Sequence, residues 1–201
     1  MTLKEKVSQL IEYTKAHTII QKRFNETGYT GGNKTSNGFF TNGFWTIAPL
    51  FDYENVTILT KLCYNNKVIT EVYLKNTHNA TTFNQAFYNC SALQRIETLD
   101  LTGCTSSASL SNMFYGCESL TRIRVCGVIS IKFDIKYSPL DVESAKNIIL
   151  HLKNYTDTEE AHTNTIYFAD SVWELLDADG NTAPHGGTWR DYVFEVLCWT
   201  Y

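Results

Sequence analysis

The stretch Ala86-Phe-Tyr-Asn-Cys-Ser-Ala-Leu-Gln-Arg-Ile96 returns 27 residues later as Met113-Phe-Tyr-Gly-Cys-Glu-Ser-Leu-Thr-Arg-Ile123. Six of the eleven positions are identical: Phe87/Phe114, Tyr88/Tyr115, Cys90/Cys117, Leu93/Leu120, Arg95/Arg122 and Ile96/Ile123. A period between about 20 and 50 residues marks a chain whose units cannot bury an apolar face alone and bury it on one another instead. Within each unit the Leu-x-x-Ile portion reads as a strand, and Phe-Tyr-x-Cys reads as a turn on the opposite side that buries Phe87 and Phe114. Ile69-Thr-Glu-Val-Tyr-Leu74 fits the strand portion of a degenerate earlier unit. The strands expected are therefore 69–74, 93–101, 120–125 and 128–134.

A chain of 201 residues is long enough for a sizeable core. Its net charge of −4 provides no basic field of the kind that draws nucleic acid, so none is expected as a partner. No run approaches the roughly 18 apolar residues of a spanning helix, and Met1-Thr-Leu-Lys-Glu-Lys lacks the apolar core of a secretory signal. A product not exported by the Sec route and not inserted in a membrane is expected. The six cysteines form no C-x-x-C pair, and no histidine stands at ligand spacing, which argues against zinc. Cys90 and Cys117 share one repeat position, where a small, weakly polar thiol fills core space. Reduced thiols are expected.

Thr2-Leu-Lys-Glu5 has the capping-box pattern, and Leu3, Val7, Leu10 and Ile11 follow at helical spacing, which predicts a helix over 3–16. Such a helix would cover an exposed end of the repeat or dock to a larger assembly. Residues 25–45 are rich in Gly, Asn and aromatics and read as turns. Inside them, Gly28-Tyr-Thr-Gly-Gly-Asn-Lys34-Thr35 departs from a phosphate-binding loop by carrying Asn33 where the second glycine belongs, and lacks the strand and helix flanks. An ordinary glycine loop is expected. Ile47–Leu50 and Val56–Leu62 read as short buried strands or turns. Ser138-Pro-Leu-Asp141 predicts a helix capped by Ser138 and running to about Asn154, with Val142, Ala145, Ile148, Ile149 and Leu152 as its buried stripe. Residues 164–169 read as a strand and Asp170-Ser-Val-Trp-Glu-Leu-Leu as a short helix. A last helix capped by Thr188 places Trp189, Tyr192, Val193, Val196 and Leu197 on one face. The expected organisation is an N-terminal helix (1–24), a Gly/Asn/aromatic-rich segment (25–60), a repeat body (61–136) and a C-terminal helical cap (137–201).

The unit Phe-Tyr-x-Cys-x-x-Leu-x-x-Ile resembles the BspA-type leucine-rich repeat over residues 69–126. The resemblance implies an α/β fold: a short leucine-rich-repeat solenoid with an N-terminal helix and an α-helical C-terminal cap. The ending, with Ser138-Pro-Leu-Asp-Val-Glu-Ser-Ala-Lys-Asn-Ile-Ile, Ser171-Val-Trp-Glu-Leu-Leu and Thr188-Trp-Arg-Asp-Tyr-Val, is similar to those of repeat proteins of gut bacteria and their phages, often encoded near tail genes. That likeness implies a non-enzymatic protein-binding module, phage-encoded and tail-associated or receptor-binding. Its partner would be a protein or cell-surface ligand, and its location the virion or the host cytoplasm. The alternatives are an intracellular phage inhibitor of a host defence protein and a bacterial surface adhesin of the BspA type. Assembly as an oligomer or within a larger viral structure stays open.

In such a repeat, side chains flanking the buried apolar residue of each strand point outward, because strand side chains alternate. The expected binding residues are Glu71, Tyr73, Arg95, Glu97, Arg122, Arg124 and Lys132. A second candidate surface is the aromatic set Phe39, Phe40, Phe44 and Trp45. No catalytic residues, metal ligands or cofactor are expected: the five histidines are scattered and no nucleophile sits in a recognisable frame. Asp177-Ala-Asp-Gly-Asn181 opens like a calcium loop but lacks the later acidic ligand, and reads as a helix-ending turn.

Overall fold

A computed structural model of the chain describes residues 4, 7, 8, 11, 14, 15, 18, 21, 22, 40, 46–48, 50–156, 158, 159, 164–178 and 182–201. Strands β1 (Phe51–Asp52), β2 (Glu71–Lys75), β3 (Arg95–Asp100) and β4 (Arg122–Cys126) form one parallel sheet in chain order. Val72, Ile96 and Ile123 are partners across it and all are buried. The apolar period of the sequence thus becomes a stack of layers, with charged or aromatic residues alternating on the outer face.

Parallel neighbours need a crossover between them. Here the Phe-Tyr-x-Cys turns provide it, and these turns also pair from unit to unit. The N–H of Cys63 donates to Ala86 O at 2.7 Å, that of Phe87 to Met113 O at 3.1 Å, and that of Phe40 to Leu62 O at 3.0 Å. Among the described residues the pairing therefore reaches back to Phe40, well before the unit expected at 69. Thr70 reaches Thr46 across 24 residues and Thr121 reaches Gln94 across 27, so the unit length varies. A bulge in β3 accompanies the change: the register shifts between Ile96 and Leu99, with Thr98 at φ 60.

The repeated side chains stack in register. Phe87 and Phe114 are buried with ring centroids 5.8 Å apart. On the outer side, Tyr64, Tyr88 and Tyr115 stack at 5.1 and 5.0 Å. The following position turns through the left-handed region in each unit, at Asn65, Asn89 and Gly116 (φ 56, 59 and 73). Asn and Gly are the residues that enter that region at least cost. The Cys90 thiol donates to Cys63 O at 3.0 Å and the Cys117 thiol to Phe87 O at 3.1 Å. At the equivalent place in the first unit, Asn66 Nδ2 donates to Phe40 O at 2.7 Å. This position thus selects a small donor that satisfies a buried carbonyl. All six cysteines are free thiols.

Side chains close both edges of the sheet. At β1, Gln21 Oε1 accepts from the Asp52 N–H at 2.8 Å and its Nε2 donates to Asp52 O at 3.0 Å. At β4, the N–H of Ile123 donates to Ser144 Oγ (3.0 Å) and that of Val125 to Asn147 Oδ1 (2.7 Å). Ser144 and Asn147 stand one turn apart on helix Val142–Leu150. The described residues between 4 and 22 are all helical (α1), Thr18, Gln21 and Lys22 among them beyond the expected 16, and Val7 and Ile11 lie exposed.

Several expectations are corrected. The stretch 128–134 is not one strand: Ile129 makes a single bridge to Leu152, and β5 (Phe133–Asp134) pairs with β6 (Ile166–Tyr167) in a separate sheet. β6 itself is shorter than 164–169. Ile47 and Leu50 are exposed rather than buried, whereas in 56–62 Val56, Leu59 and Leu62 are buried as expected, with one bridge at Ile58 and a turn from 60 onward. The helix expected from Ser138 begins at Val142 (α2, Val142–Leu150), because Asp141 is its cap, accepting from the Ser144 N–H at 2.8 Å. Ser138 instead donates to Cys117 O, at 3.2 Å. Two more helices follow, α3 (Asp170–Ala178) and α4 (Trp189–Asp191), the latter opened by a Thr188/Asp191 capping box. From Tyr192 to Val196 the turn widens to a π-helix, and Cys198 at φ 56 then brings the buried Trp199 under Lys153 O. The C-terminal region is therefore mixed rather than helical, with Thr165 also bridging Thr200. One core cluster runs from Phe40 to Trp199. No helix among the described residues is long and apolar enough to cross a membrane.

Candidate functional site

Alternation on the sheet places the predicted residues in two outward rows. The parallel register sets Glu71 beside Arg95 and Arg95 beside Arg122, and in the next row Tyr73 beside Glu97. Arg124 follows Ile123 on the same outward face, opposite the β3 bulge, and is exposed. Six of the seven predicted residues are therefore brought together. Lys132 is not among them: it precedes β5 of the second sheet, and its Nζ lies 4.6 Å from the Tyr167 ring centroid. It falls outside the row because 128–134 does not continue the four-stranded sheet.

The two halves of this face differ in how far their polar groups are paired. Toward the N-terminal side, the Tyr73 hydroxyl donates to Glu71 Oε2 at 2.6 Å, and this bond raises the Tyr73 pKa. Arg95 Nε donates to Glu97 Oε1 at 2.7 Å while its guanidinium lies 5.9 Å from the Tyr73 ring centroid. The bond to Glu97 pushes the Arg95 pKa further up. Toward β4 the pairing thins. Arg122 approaches Asp141 at 3.5 Å with its side chain 66% exposed, and Arg124 makes no hydrogen bond or ion pair among the described residues.

Between β4 and α2 lies a depression of about 350 Å³, lined by Glu97, Arg122, Arg124, Asp141, Glu143 and Asn147. Sequence reasoning missed its helical wall. The available signal was Ser144 and Asn147, polar residues one turn apart on a helix whose neighbours Ala145, Ile148 and Ile149 are buried.

The second candidate surface does not form a site in the described residues. Phe40 is fully buried and stacks on Phe51 at 5.8 Å, which makes it a core residue. Phe39, Phe44, Trp45 and the glycine loop at 28–35 lie outside the described residues.

A third place brings reactive residue types together: Cys126, His78 and Asp100 line a depression of about 260 Å³ beyond the strand ends. Burial, and then Asp100, push the Cys126 thiol up, which disfavours the thiolate a nucleophile requires. His78 lies 3.5 Å from Glu54. No group of three or more metal-ligating side chains occurs among the described residues. No protein-family model, curated protein or solved structure matches the chain.

Proposed function

We propose that this chain is a non-enzymatic protein-binding module, a short leucine-rich-repeat solenoid of the BspA-like kind, that recognises a protein or cell-surface ligand through the outer face of its parallel sheet. The observation that carries this reading is the register that aligns Glu71, Arg95 and Arg122, with Tyr73, Glu97 and Arg124 on the same face. Arg and Tyr are the residue types that most often dominate binding energy, and a repeat array displays them at fixed spacing on a rigid support. The unit-to-unit pairing from Phe40 onward supports the solenoid part of the proposal. The likeness of the chain ending to phage-encoded repeat proteins supports a tail-associated or receptor-binding role.

The test is Arg122→Glu with Arg124→Glu. Both side chains are exposed, so the double variant keeps the wild-type melting temperature to within a few degrees. It loses adsorption to host cells, or retention of the partner that wild type captures from host lysate. Adsorption favours the receptor-binding role, and capture of a soluble host protein without adsorption favours the inhibitor role. A folded double variant that adsorbs and captures like wild type removes this face as the site.

A further inference from the structure

The turns of successive units carry a tyrosine on the outer side of the chain, and Tyr64, Tyr88, Tyr115 and Tyr137 follow one another there in a row. We propose that this row is a site of oxidative modification, at which a one-electron oxidant couples Tyr88 to Tyr115 as a dityrosine that joins two units covalently. The inference is independent of the sheet face and of any partner on it.

Backbone pairing sets the geometry. The N–H of Asn65 donates to Tyr88 O at 2.7 Å and that of Asn89 to Tyr115 O at 2.6 Å, so each of these tyrosines is tied to the unit before it. Asn89 Nδ2 also donates to Asn65 Oδ1, at 3.0 Å. The spacing of paired backbones, about 4.8 Å, is thereby passed on to the rings. Tyr88 and Tyr115 lie 5.0 Å apart between centroids with their planes at 11°, and the preceding residues Phe87 and Phe114 hold the same layers from the inner side, stacked at 5.8 Å. Near-parallel rings on paired backbones set like atoms of the two phenols side by side. Tyr115 is 42% exposed and Tyr88 is half-buried, which leaves the edge of the row open to a small oxidant.

The coupling removes two electrons. Each phenol gives one electron to the oxidant and its hydroxyl proton to water, and becomes a tyrosyl radical whose spin spreads to the ring carbons ortho to oxygen. The two radicals pair to form one Cε–Cε bond, and the hydrogen on each bonded carbon moves to its own oxygen and restores the phenol. The product is lighter by two hydrogen atoms, and two equivalents of oxidant are reduced. Fixed proximity favours pairing between neighbours over pairing between molecules. The ends of the row are harder to oxidise: Lys61 Nζ lies 5.1 Å from the Tyr64 ring centroid, and Lys136 Nζ 5.4 Å from that of Tyr137. A cation over a ring is attracted by its electrons and opposes their removal. Tyr115 also meets Tyr137 with planes at 64°, whereas it meets Tyr88 almost parallel. The inner pair is thus the one that couples.

In the experiment the full chain is oxidised by photogenerated tris(bipyridyl)ruthenium(III), beside Tyr115→Phe, Tyr137→Phe and wild type unfolded in urea, with circular dichroism to verify folding of the variants. Wild type is expected to give a monomeric product, two hydrogens lighter, with dityrosine fluorescence and a cross-link mapped by mass spectrometry to Tyr88 and Tyr115. Tyr115→Phe retains the stacked ring but lowers the yield of monomeric dityrosine about tenfold or more, as does unfolding of wild type. Tyr137→Phe retains the product. Wild type that gives only dityrosine between chains, none at all, or a cross-link mapped to another pair overturns the proposal. An equal yield from folded Tyr115→Phe or from the unfolded chain overturns it as well.

Discussion

Two adjacent residues of the repeat, Phe114 and Tyr115, point to opposite sides of the chain and give the sharpest test of how the units hold together. Phe114 is 1% exposed, lies 5.8 Å from the near-parallel ring of Phe87 and meets Phe133 edge-on at 5.7 Å. Phe114→Ala removes a whole buried ring from between units, a change of about 3–5 kcal/mol. In a domain of this length each kcal/mol moves the melting temperature by roughly 2–4 °C, so a fall of about 6–20 °C is expected. Tyr115 is 42% exposed and stacks between Tyr88 at 5.0 Å and Tyr137 at 4.8 Å. Tyr115→Ala loses two surface aromatic pairs of about 0.5–1.5 kcal/mol each, so its cost is about half as large. Thermal and urea denaturation followed by circular dichroism measure both. A melting temperature unchanged by Phe114→Ala, or a larger effect from Tyr115→Ala, would refute stacking of the inner ring as the main bond between units.

Two further changes probe the backbone and the thiols. Gly127 sits at φ +80, and an added Cβ would lie 2.2 Å from both Asp100 Oδ1 and Thr102 Oγ1, so Gly127→Ala should destabilise by more than about 1 kcal/mol in urea; a neutral result would mean that this turn relaxes freely. Burial pushes the Cys90 and Cys104 thiols up to about 12 from 9.0. The unfolded chain therefore releases these protons near pH 9 while the folded chain keeps them, and stability falls as pH rises toward 12, by about 1.4 kcal/mol per pH unit for each fully buried thiol. A urea midpoint that stays flat from about pH 8 to 11 contradicts this, as does recovery of fewer than six thiols from the denatured protein.

The repeat was legible because both of its halves carry side chains that only stacking can satisfy. Phe87 and Phe114 announce an inner layer, and the Leu-x-x-Ile portion announces strands whose ends fall within two residues of those observed for β2, β3 and β4. The first unit was hidden because its equivalent residues differ in kind. Cys63 occupies the level of Phe87, and Asn66 supplies through an amide the bond that Cys90 supplies through a thiol. The backbone role is retained while the residue type is lost, so identity cannot reveal it. The start of α2 was misplaced for a related reason. Ser138 and Asp141 are both good caps, and only the buried carbonyl of Cys117, from a distant unit, removes Ser138 from the competition. On the site, alternation along each strand was enough to align six residues. Lys132 failed because Ile129 and Phe133 pair with Leu152 and Ile166 instead of with β4, a choice set by the C-terminal region.

Closure of the sheet edges bears on how the proposed partner would be recognised. A parallel sheet of repeated units has two open edges, and an open edge invites strand addition from another chain. Here the Gln21 amide uses both backbone groups of Asp52 on one side. On the other side Ser144 and Asn147 take the N–H groups of Ile123 and Val125, and the N–H of Asp141 takes the carbonyl of Thr121. Strand addition at β4 would have to displace these contacts from α2, leaving buried polar groups that cost about 1–3 kcal/mol each if not satisfied again. Side-chain recognition on the outer face avoids that cost, since Arg122 and Arg124 are already exposed there. The helix that closes the edge is also the wall of the depression beside those arginines. Termination of the sheet and formation of this charged recess are thus consequences of one helix, placed by the Asp141 cap and held by Ser144 and Asn147.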